Sequence, residues 1–171
     1  GANIGMVQIG NEISQGMMGV MQSKNSSIWA EKSKIELIDS YINAGAKAVR
    51  ECTPEALIAL HLDTLYTGTY KNAMDVWERD NVDYDVLGAS SYAFWVGDNM
   101  IGSLKKAGEY VASRGKMFTI LETSWLNSTE DADGTPNMIS STKVKKYNIG
   151  PQGQVDVLAD MYDAILTNDN G

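Results

Sequence analysis

The 171-residue sequence predicts an α/β protein with a parallel β-sheet, because short apolar segments alternate with longer segments of helical periodicity. Each short segment is almost continuously apolar rather than alternating, which is typical of strands buried on both faces. The predicted strands cover Met6–Ile9 and residues 56–60, 84–88 and 117–121. The resulting order is β-α-β-α-β-α-β-α, and no internal repeat interrupts it.

A helix is predicted after each strand. In the first helix, apolar side chains recur three or four positions apart and form one face: Ile35, Ile38, Ile42, Ala46 and Val49. The second helix is predicted over residues 68–80 and the third over residues 98–114, where Gly115 is placed to end it. A last apolar face lies within residues 155–166.

Composition narrows the possible partners. The chain has 14 basic and 22 acidic side chains and a formal net charge of −8, which argues against nucleic acid or an anionic membrane surface as a partner. Neutral partners, including sugars, stay open. The one cysteine, Cys52, excludes an intrachain disulfide framework. No apolar run approaches the ~20 residues that span a bilayer.

Two α/β architectures fit this order of elements. A doubly wound sheet usually carries a glycine-rich phosphate-binding turn after its first strand, and the sequence has none. Polar or ionisable residues follow every predicted strand, as they do at the catalytic face of a (β/α)8 barrel. Since a whole barrel needs ~250 residues, we expect residues 1–171 to be a fragment of one barrel domain. Four strands cannot close a barrel, so we expect these residues alone to fold poorly.

The candidate catalytic residues are Glu12 and Glu122, each at the end of a predicted strand. If both strands belong to one barrel, both carboxylates face the same opening. Two carboxylates across a cleft are what glycosidic bond cleavage requires, one as proton donor and one as nucleophile. The alternative is two unrelated surface glutamates.

Further polar and aromatic residues at the same edge are candidate substrate-binding residues: Asn11, His61, Asp63, Ser90, Tyr92, Trp95 and Trp125. Asn11 is suited to bind a sugar hydroxyl, and Tyr92 to donate its hydroxyl to the second glutamate. The two tryptophans, which we expect to be exposed, are suited to stack on sugar rings. A purely structural role for His61 is an equal alternative.

A long loop after Glu122 carries a candidate metal site. Its oxygen donors stand two positions apart and can surround a hard cation such as Ca²⁺: Asp131, Asp133, Thr135 and Asn137. On spacing alone, a solvated acidic turn is the commoner structure. No organic cofactor is expected.

Six segments together resemble glycoside hydrolase family 53, the arabinogalactan endo-β-1,4-galactanases. They are residues 7–13, 43–50, 58–61, 82–95, 121–125 and 147–154. The resemblance covers essentially the whole chain, in order and at similar spacing. It implies a partial (β/α)8 TIM barrel from about the fourth strand through the seventh helix, as part of a catalytic domain.

The resemblance also implies an activity, namely retaining endo-hydrolysis of β-1,4-galactan, with Glu12 as acid/base and Glu122 as nucleophile. Bacterial members of the family carry calcium in the loop after the nucleophile strand, and Thr135 stands where their pattern has histidine. The polymeric substrate implies extracellular action, and we expect the full-length protein to be a monomer.

Two alternatives stay open at this point. One is another retaining endoglycanase of the same clan, acting on mannan, xylan or β-glucan. The other is a galactan-binding barrel remnant without catalytic activity.

Overall fold

Four strands form one parallel sheet in the computed structural model, which describes residues 3–21, 31–131, 133–135, 138–139 and 141–167. They are β1 (Met6–Ile9), β4 (Leu57–Leu62), β5 (Val86–Ser90) and β6 (Met117–Glu122). The strands lie in that order across the sheet, and each runs parallel to its neighbour. The predicted parallel sheet is therefore confirmed.

The helices follow the predicted order within the described ranges. They are α1 (Lys32–Cys52), α2 (Thr67–Arg79), α3 (Ala93–Val96), α4 (Met100–Ser113) and α5 (Pro151–Leu166). The one-turn helix α3 was not predicted, nor was a short antiparallel hairpin of β2 (Gly16–Met17) and β3 (Val20–Met21). A two-residue strand or a single turn of helix is too short to show a hydrophobic period, so the sequence pattern does not reveal it.

The core lies between the sheet and its helices. On α1, the predicted face is buried at Ile35, Ile38, Ile42 and Ala46, while Val49 is partly buried. The side chain of Trp77 from α2 is completely buried. Each buried aliphatic or aromatic side chain of this kind stabilises the fold by about 1.5–3 kcal/mol relative to exposure. This packing holds the strand ends in fixed positions.

Three strands extend one or two residues beyond their predicted ends. Strand β4 continues through His61, β5 ends at Ser90 and β6 ends at Glu122. The register pairs His61 with Gly88, and after an irregularity at Ala89/Ser90 it pairs Ser90 with Glu122. These polar side chains can belong to strands because each has a hydrogen-bond partner at the carboxyl ends of the strands: Ser90 for His61, Glu12 for Ser90, and Tyr92 for Glu122.

The segment from residue 123 to residue 149 is a long loop, as expected. Its described residues contain neither helix nor strand. Among the residues that the structure describes, no helix combines the length and the hydropathy needed to cross a bilayer.

An acidic side chain is buried under α1. Asp39 is 5% exposed, and in the described part of the chain neither of its carboxyl oxygens has a hydrogen-bond partner. Burial is the main reason that the pKa of Asp39 rises from 3.8 to about 7, and the nearby carboxylate of Asp80 adds to the shift while Arg79 opposes it. The folded protein therefore binds this proton more tightly than the unfolded chain does.

Asp39→Asn is expected to stabilise the full-length protein more at pH 8 than at pH 5. The wild-type free energy of unfolding falls as the pH rises from 3.8, where the carboxyl of the unfolded chain ionises, to about 7, where the buried carboxyl ionises, so its loss is partial at pH 5 and nearly complete at pH 8. Since one unit of pKa shift corresponds to about 1.4 kcal/mol, the gain at pH 8 should exceed the gain at pH 5 by about 1–3 kcal/mol.

Thermal unfolding at the two pH values measures this gain. Asp163→Asn on the exposed face of α5 is the matched control and should have no pH-dependent effect. Equal effects of Asp39→Asn at pH 5 and pH 8 would contradict the assignment.

Candidate active site

The carboxyl ends of the strands bring two glutamates and a histidine to one point. An oxygen of Glu12, an oxygen of Glu122 and a ring nitrogen of His61 all lie within 4.8 Å of one another. The glutamates are partly exposed, while His61 is completely buried. The two carboxylates are thus close enough to act on a single bond.

Glu12 is aimed by a tight turn after β1. Gly10 has a φ of 77° and Glu12 a φ of 49°, so the chain reverses through left-handed backbone conformations. A Cβ on Gly10 would press against the side chain of Ile13, at 2.5 Å from its Cγ2. Ile13 is itself completely buried, which anchors the turn and fixes where the Glu12 side chain begins.

Glu122 ends β6 and is held by a tyrosine. The Tyr92 hydroxyl donates a hydrogen bond of 2.9 Å to Glu122 Oε2. Burial, together with this hydrogen bond, raises the pKa of Tyr92 to about 12, so the hydroxyl keeps its proton. This hydrogen bond fixes the orientation of the Glu122 carboxyl group.

His61 is placed behind the glutamates rather than in the cleft. Its Nε2 lies 2.9 Å from Ser90 Oγ, and its Nδ1 lies 3.2 Å from Asn11 Oδ1. Burial lowers the pKa of His61 from its ordinary value, although the charges of Glu122, Glu12 and Asp63 oppose the shift. In this structure His61 has no exposed surface, which favours the structural alternative for this residue, and direct binding of substrate stays a prediction.

Ser90 is likewise almost completely buried, at 3% exposure, and its hydroxyl donates a hydrogen bond of 2.6 Å to Glu12 Oε1. It contacts the Glu12 carboxyl group and is not among the residues that line the main cleft. Asn11 lies next to Glu12 and is exposed. Its Oδ1 accepts a hydrogen bond of 3.3 Å from Gln8 Nε2.

A cleft of about 510 Å³ opens over the two glutamates. Its aromatic walls are Tyr92, Phe94, Trp95 and Trp125. Trp95 is 60% exposed, and its ring makes T-shaped contacts with Tyr92 and Phe94, so most of the side chain stays accessible at the rim. This is the arrangement expected of a stacking platform.

Trp125 differs from its sequence-based expectation. It lines the cleft but is only 5% exposed, because its ring packs against Phe94 and Tyr147 and its Nε1 donates to the Asn148 carbonyl at 2.8 Å. It therefore forms a wall of the cleft rather than an exposed platform. Sequence position alone placed it beyond the strand and did not reveal these loop contacts.

Asp63 lies apart from the glutamates. It lines a second cavity of about 260 Å³ together with Tyr66, Ser90 and Trp95. Its backbone N–H donates to Ser14 Oγ at 3.1 Å, and its Oδ1 is buried. Trp95 and Tyr92 border both cavities, so this second cavity extends the cleft on their far side.

Sequence reasoning missed Gln8, which connects β1 to His61. Gln8 Nε2 lies 3.1 Å from His61 Nδ1 and donates to the Gly10 carbonyl at 2.8 Å. The available signal was its position: Gln8 is a polar residue between apolar Val7 and Ile9 in a strand.

In the acidic loop, two aspartate side chains accept hydrogen bonds from backbone N–H groups of the same loop. Asp131 Oδ1 accepts hydrogen bonds from Gly134 N at 2.9 Å and from Asp133 N at 3.3 Å, and Asp133 Oδ1 accepts one from Thr135 N at 2.9 Å. Asn137 lies outside the described residues. In the described part of the chain, Glu12, His61 and Glu122 are the one group of acidic, histidine or cysteine side chains close enough to share an ion. Calcium binding by the loop stays a prediction.

Comparison with known proteins assigns the family. The family model for Glycosyl hydrolase family 53 matches residues 1–171. The chain is 33% identical over 169 residues to Endo-beta-1,4-galactanase of Bacillus subtilis (strain 168), covering 96% of this chain and 36% of that protein. It is 26% identical over 136 residues to Arabinogalactan endo-beta-1,4-galactanase of Humicola insolens, covering 75% of this chain and 39% of that protein.

A solved structure supports the same family assignment. The Ignisphaera aggregans GH53 catalytic domain superposes with a TM-score of 0.76 at 26% identity, covering 97% of this chain and 46% of that domain. The chain spans less than half the length of these relatives. Its sheet and helices correspond to about half of a (β/α)8 barrel, as the sequence predicts. Because the family match covers every residue, the chain belongs to glycosyl hydrolase family 53.

Proposed function

We propose that the full-length protein hydrolyses β-1,4-galactosidic bonds inside galactan or arabinogalactan with retention of configuration. The observation that carries this proposal is the pair of carboxylates from Glu12 and Glu122, whose oxygens lie within 4.8 Å of each other. Retaining enzymes place their two carboxyl groups about 5–5.5 Å apart, whereas inverting enzymes need about 6.5–9.5 Å to admit a water molecule. The galactanase names of the relatives support galactan as the polymer.

In the first step, a Glu122 carboxylate oxygen attacks the anomeric carbon while Glu12 donates its proton to the glycosidic oxygen. The carbon–oxygen bond breaks, the leaving chain departs as an alcohol, and the galactosyl unit stays as an ester on Glu122. The Tyr92 hydroxyl keeps the Glu122 carboxylate oriented before the attack.

In the second step, Glu12 is a carboxylate and removes a proton from water. The water oxygen attacks the anomeric carbon, and Glu122 leaves with the bonding electron pair. Two inversions at one carbon give overall retention, and Glu12 regains the proton that it donated.

The exposed ring of Trp95 supplies a platform for a sugar ring next to the cleaved bond. Asn11, beside Glu12, is suited to bind a hydroxyl of the sugar at the cleavage point. Since galactan is a polymer too large to cross a membrane intact, the proposed function places the enzyme outside the cell or on its surface.

Replacing either glutamate tests the proposed function. Glu12→Ala and Glu122→Ala in the full-length protein should each lower the release of reducing ends from galactan by about 10²–10⁴-fold or more. Glu109→Ala, on the exposed side of α4, is the matched control and should leave the rate unchanged. The same assay on mannan, xylan and β-glucan tests the alternative substrates.

Two results would contradict the proposal. One is a Glu122→Ala variant that cleaves galactan at the parent rate. The other is a wild-type protein that binds galactan and forms no product, which would favour a binding role. An inverted anomer in the first product, observed by NMR, would refute the retaining mechanism.

Tyr92→Phe removes the hydroxyl that donates to Glu122 and keeps the ring. A hydrogen bond to a charged group contributes about 1.5–3 kcal/mol, so kcat should fall by about 10–100-fold. KM should change little, because the ring that lines the cleft is retained. Steady-state kinetics on galactan measure both constants, and an unchanged kcat would show that Tyr92 does not assist Glu122.

We also infer that the loop after β6 binds Ca²⁺ through Asp131, Asp133, Thr135 and Asn137. Carboxylate, hydroxyl and amide oxygens are suitable calcium ligands, and Asp131 and Asp133 come together in one turn. Chelation with EGTA should lower the melting temperature of the full-length protein, and added Ca²⁺ should restore it. An Asp131→Asn, Asp133→Asn double variant should lose this response. A melting temperature that EGTA does not change would contradict the inference.

A further inference from the structure

A chain of hydrogen bonds runs behind Glu12, from the backbone to the catalytic carboxyl. Gln8 Nε2 donates to the Gly10 carbonyl at 2.8 Å and lies 3.1 Å from His61 Nδ1. On the other side of the ring, His61 Nε2 lies 2.9 Å from Ser90 Oγ, which lies 2.6 Å from Glu12 Oε1. His61 and Ser90 are 0% and 3% exposed, so bulk water does not compete for these contacts.

The contact between Ser90 and Glu12 determines which atom donates at one end of this hydrogen-bond chain. Ser90 Oγ and Glu12 Oε1 lie 2.6 Å apart, a short O–H···O hydrogen bond. A carboxyl oxygen that carries no proton only accepts, so the single hydrogen of the Ser90 hydroxyl points to Glu12 Oε1 both when Glu12 is ionised and when it carries its proton on Oε2. His61 Nε2 must then carry the hydrogen of the 2.9 Å contact and donate it to Ser90 Oγ.

At the opposite end of the hydrogen-bond chain, the contacts of Gln8 agree with the same order of donors and acceptors. The Gly10 carbonyl only accepts, so the amide nitrogen of Gln8, and not its oxygen, must face it. The second hydrogen of that nitrogen points toward His61 Nδ1 and Asn11 Oδ1, at 3.1 Å and 3.3 Å. Of these two acceptors Nδ1 is the nearer to the Gln8 nitrogen, so this end agrees with the direction set at Ser90, in which Nδ1 is the acceptor of the ring. A buried, neutral imidazole has one hydrogen, which leaves it on Nε2.

The reverse arrangement has a defined consequence. With the hydrogen on Nδ1, His61 would donate to Asn11, and Nε2 would accept from Ser90. The 2.6 Å contact would then require a proton on Glu12 Oε1, facing the buried Ser90. That proton would point away from any bond in the cleft.

We propose that Gln8, His61 and Ser90 are positioning residues that form a one-directional hydrogen-bond chain. The chain keeps Glu12 Oε1 as an acceptor and so holds the reactive proton of Glu12 on Oε2, from which it is delivered to the glycosidic oxygen. The proposal deepens the proposed function and rests on it, because Glu12 must be the general acid. The direction of the chain can nevertheless be measured without any activity.

The first test is the tautomer of His61. Long-range ¹H–¹⁵N spectra of the full-length protein labelled in histidine distinguish the Nε2–H and Nδ1–H forms of the ring, and a His61→Gln variant assigns the signals. The expected result is a neutral ring with its hydrogen on Nε2. An Nδ1–H ring, or an imidazolium at neutral pH, would overturn the proposal.

The second test separates proton delivery from general structural support. Two aryl β-1,4-galactobiosides are compared by kcat/KM, which reports the first bond cleavage. Phenolate needs a proton to leave, whereas 2,4-dinitrophenolate leaves without one. Ser90→Ala and Gln8→Met should lose about 10–100-fold on the phenyl substrate, part of the usual contribution of general acid catalysis, and less than about 3-fold on the dinitrophenyl substrate.

Ser91→Ala is the matched control, since Ser91 is as buried as Ser90 and directly adjacent. Any loss in this variant should be the same on both substrates. Gln8 lies on β1 whereas Ser90 lies on β5, so Gln8→Met is a separate variant that keeps the test available if Ser90→Ala does not fold.

Each outcome has a clear meaning. Equal losses on both substrates in the Ser90 and Gln8 variants would assign them a structural role only and overturn the proposal, as would no loss on either. A wild-type protein that cleaves neither aryl galactobioside nor galactan would refute the proposed function, and the tautomer measurement would then still decide the direction of the chain.

Discussion

Two carboxylates that approach within 4.8 Å of each other repel when both are charged, and the surroundings of Glu12 and Glu122 reflect this constraint. Each glutamate receives a hydroxyl hydrogen bond from β5 or the residues just after it, from Ser90 for Glu12 and from Tyr92 for Glu122. Because the neighbouring His61 is buried and its pKa is lowered, it acts as a neutral hydrogen-bonding group rather than as a fixed positive charge. Each of the two carboxyl groups is therefore held in place by a hydroxyl donor of its own.

This arrangement depends on the register of the parallel strands. Ser90 can reach Glu12 while Tyr92 reaches Glu122 because β5 lies between β4 and β6 and ends beside Glu122. The irregularity at Ala89/Ser90 sets which residue of β5 faces the last residue of β6. A change that shifts this register by one residue would turn these side chains to the opposite face of the sheet.

The sequence predicted those features that have a clear local pattern. Apolar runs indicated the strands, and a polar residue after each run indicated the functional edge, so Glu12 and Glu122 were placed together correctly. The exact strand ends were not predictable, because His61 continues β4 as a buried polar residue that periodicity cannot distinguish from a loop residue. For the same reason, only the structure shows that the His61 side chain lies behind the cleft and not within it. Trp125 and Gln8 depend on contacts between distant segments, with Asn148 and His61, and no local pattern reports such contacts.

The central claim is that Glu122 attacks the anomeric carbon while Glu12 supplies the proton. The most direct measurement is mass spectrometry of the full-length protein after treatment with a 2-deoxy-2-fluoro galactobiosyl fluoride, which slows the second step and lets the glycosyl-enzyme ester accumulate. The account predicts one galactobiosyl unit per protein, attached to the peptide that contains Glu122. Attachment to Glu12 or to any other residue, or turnover of galactan by a protein that never forms the ester, would contradict it.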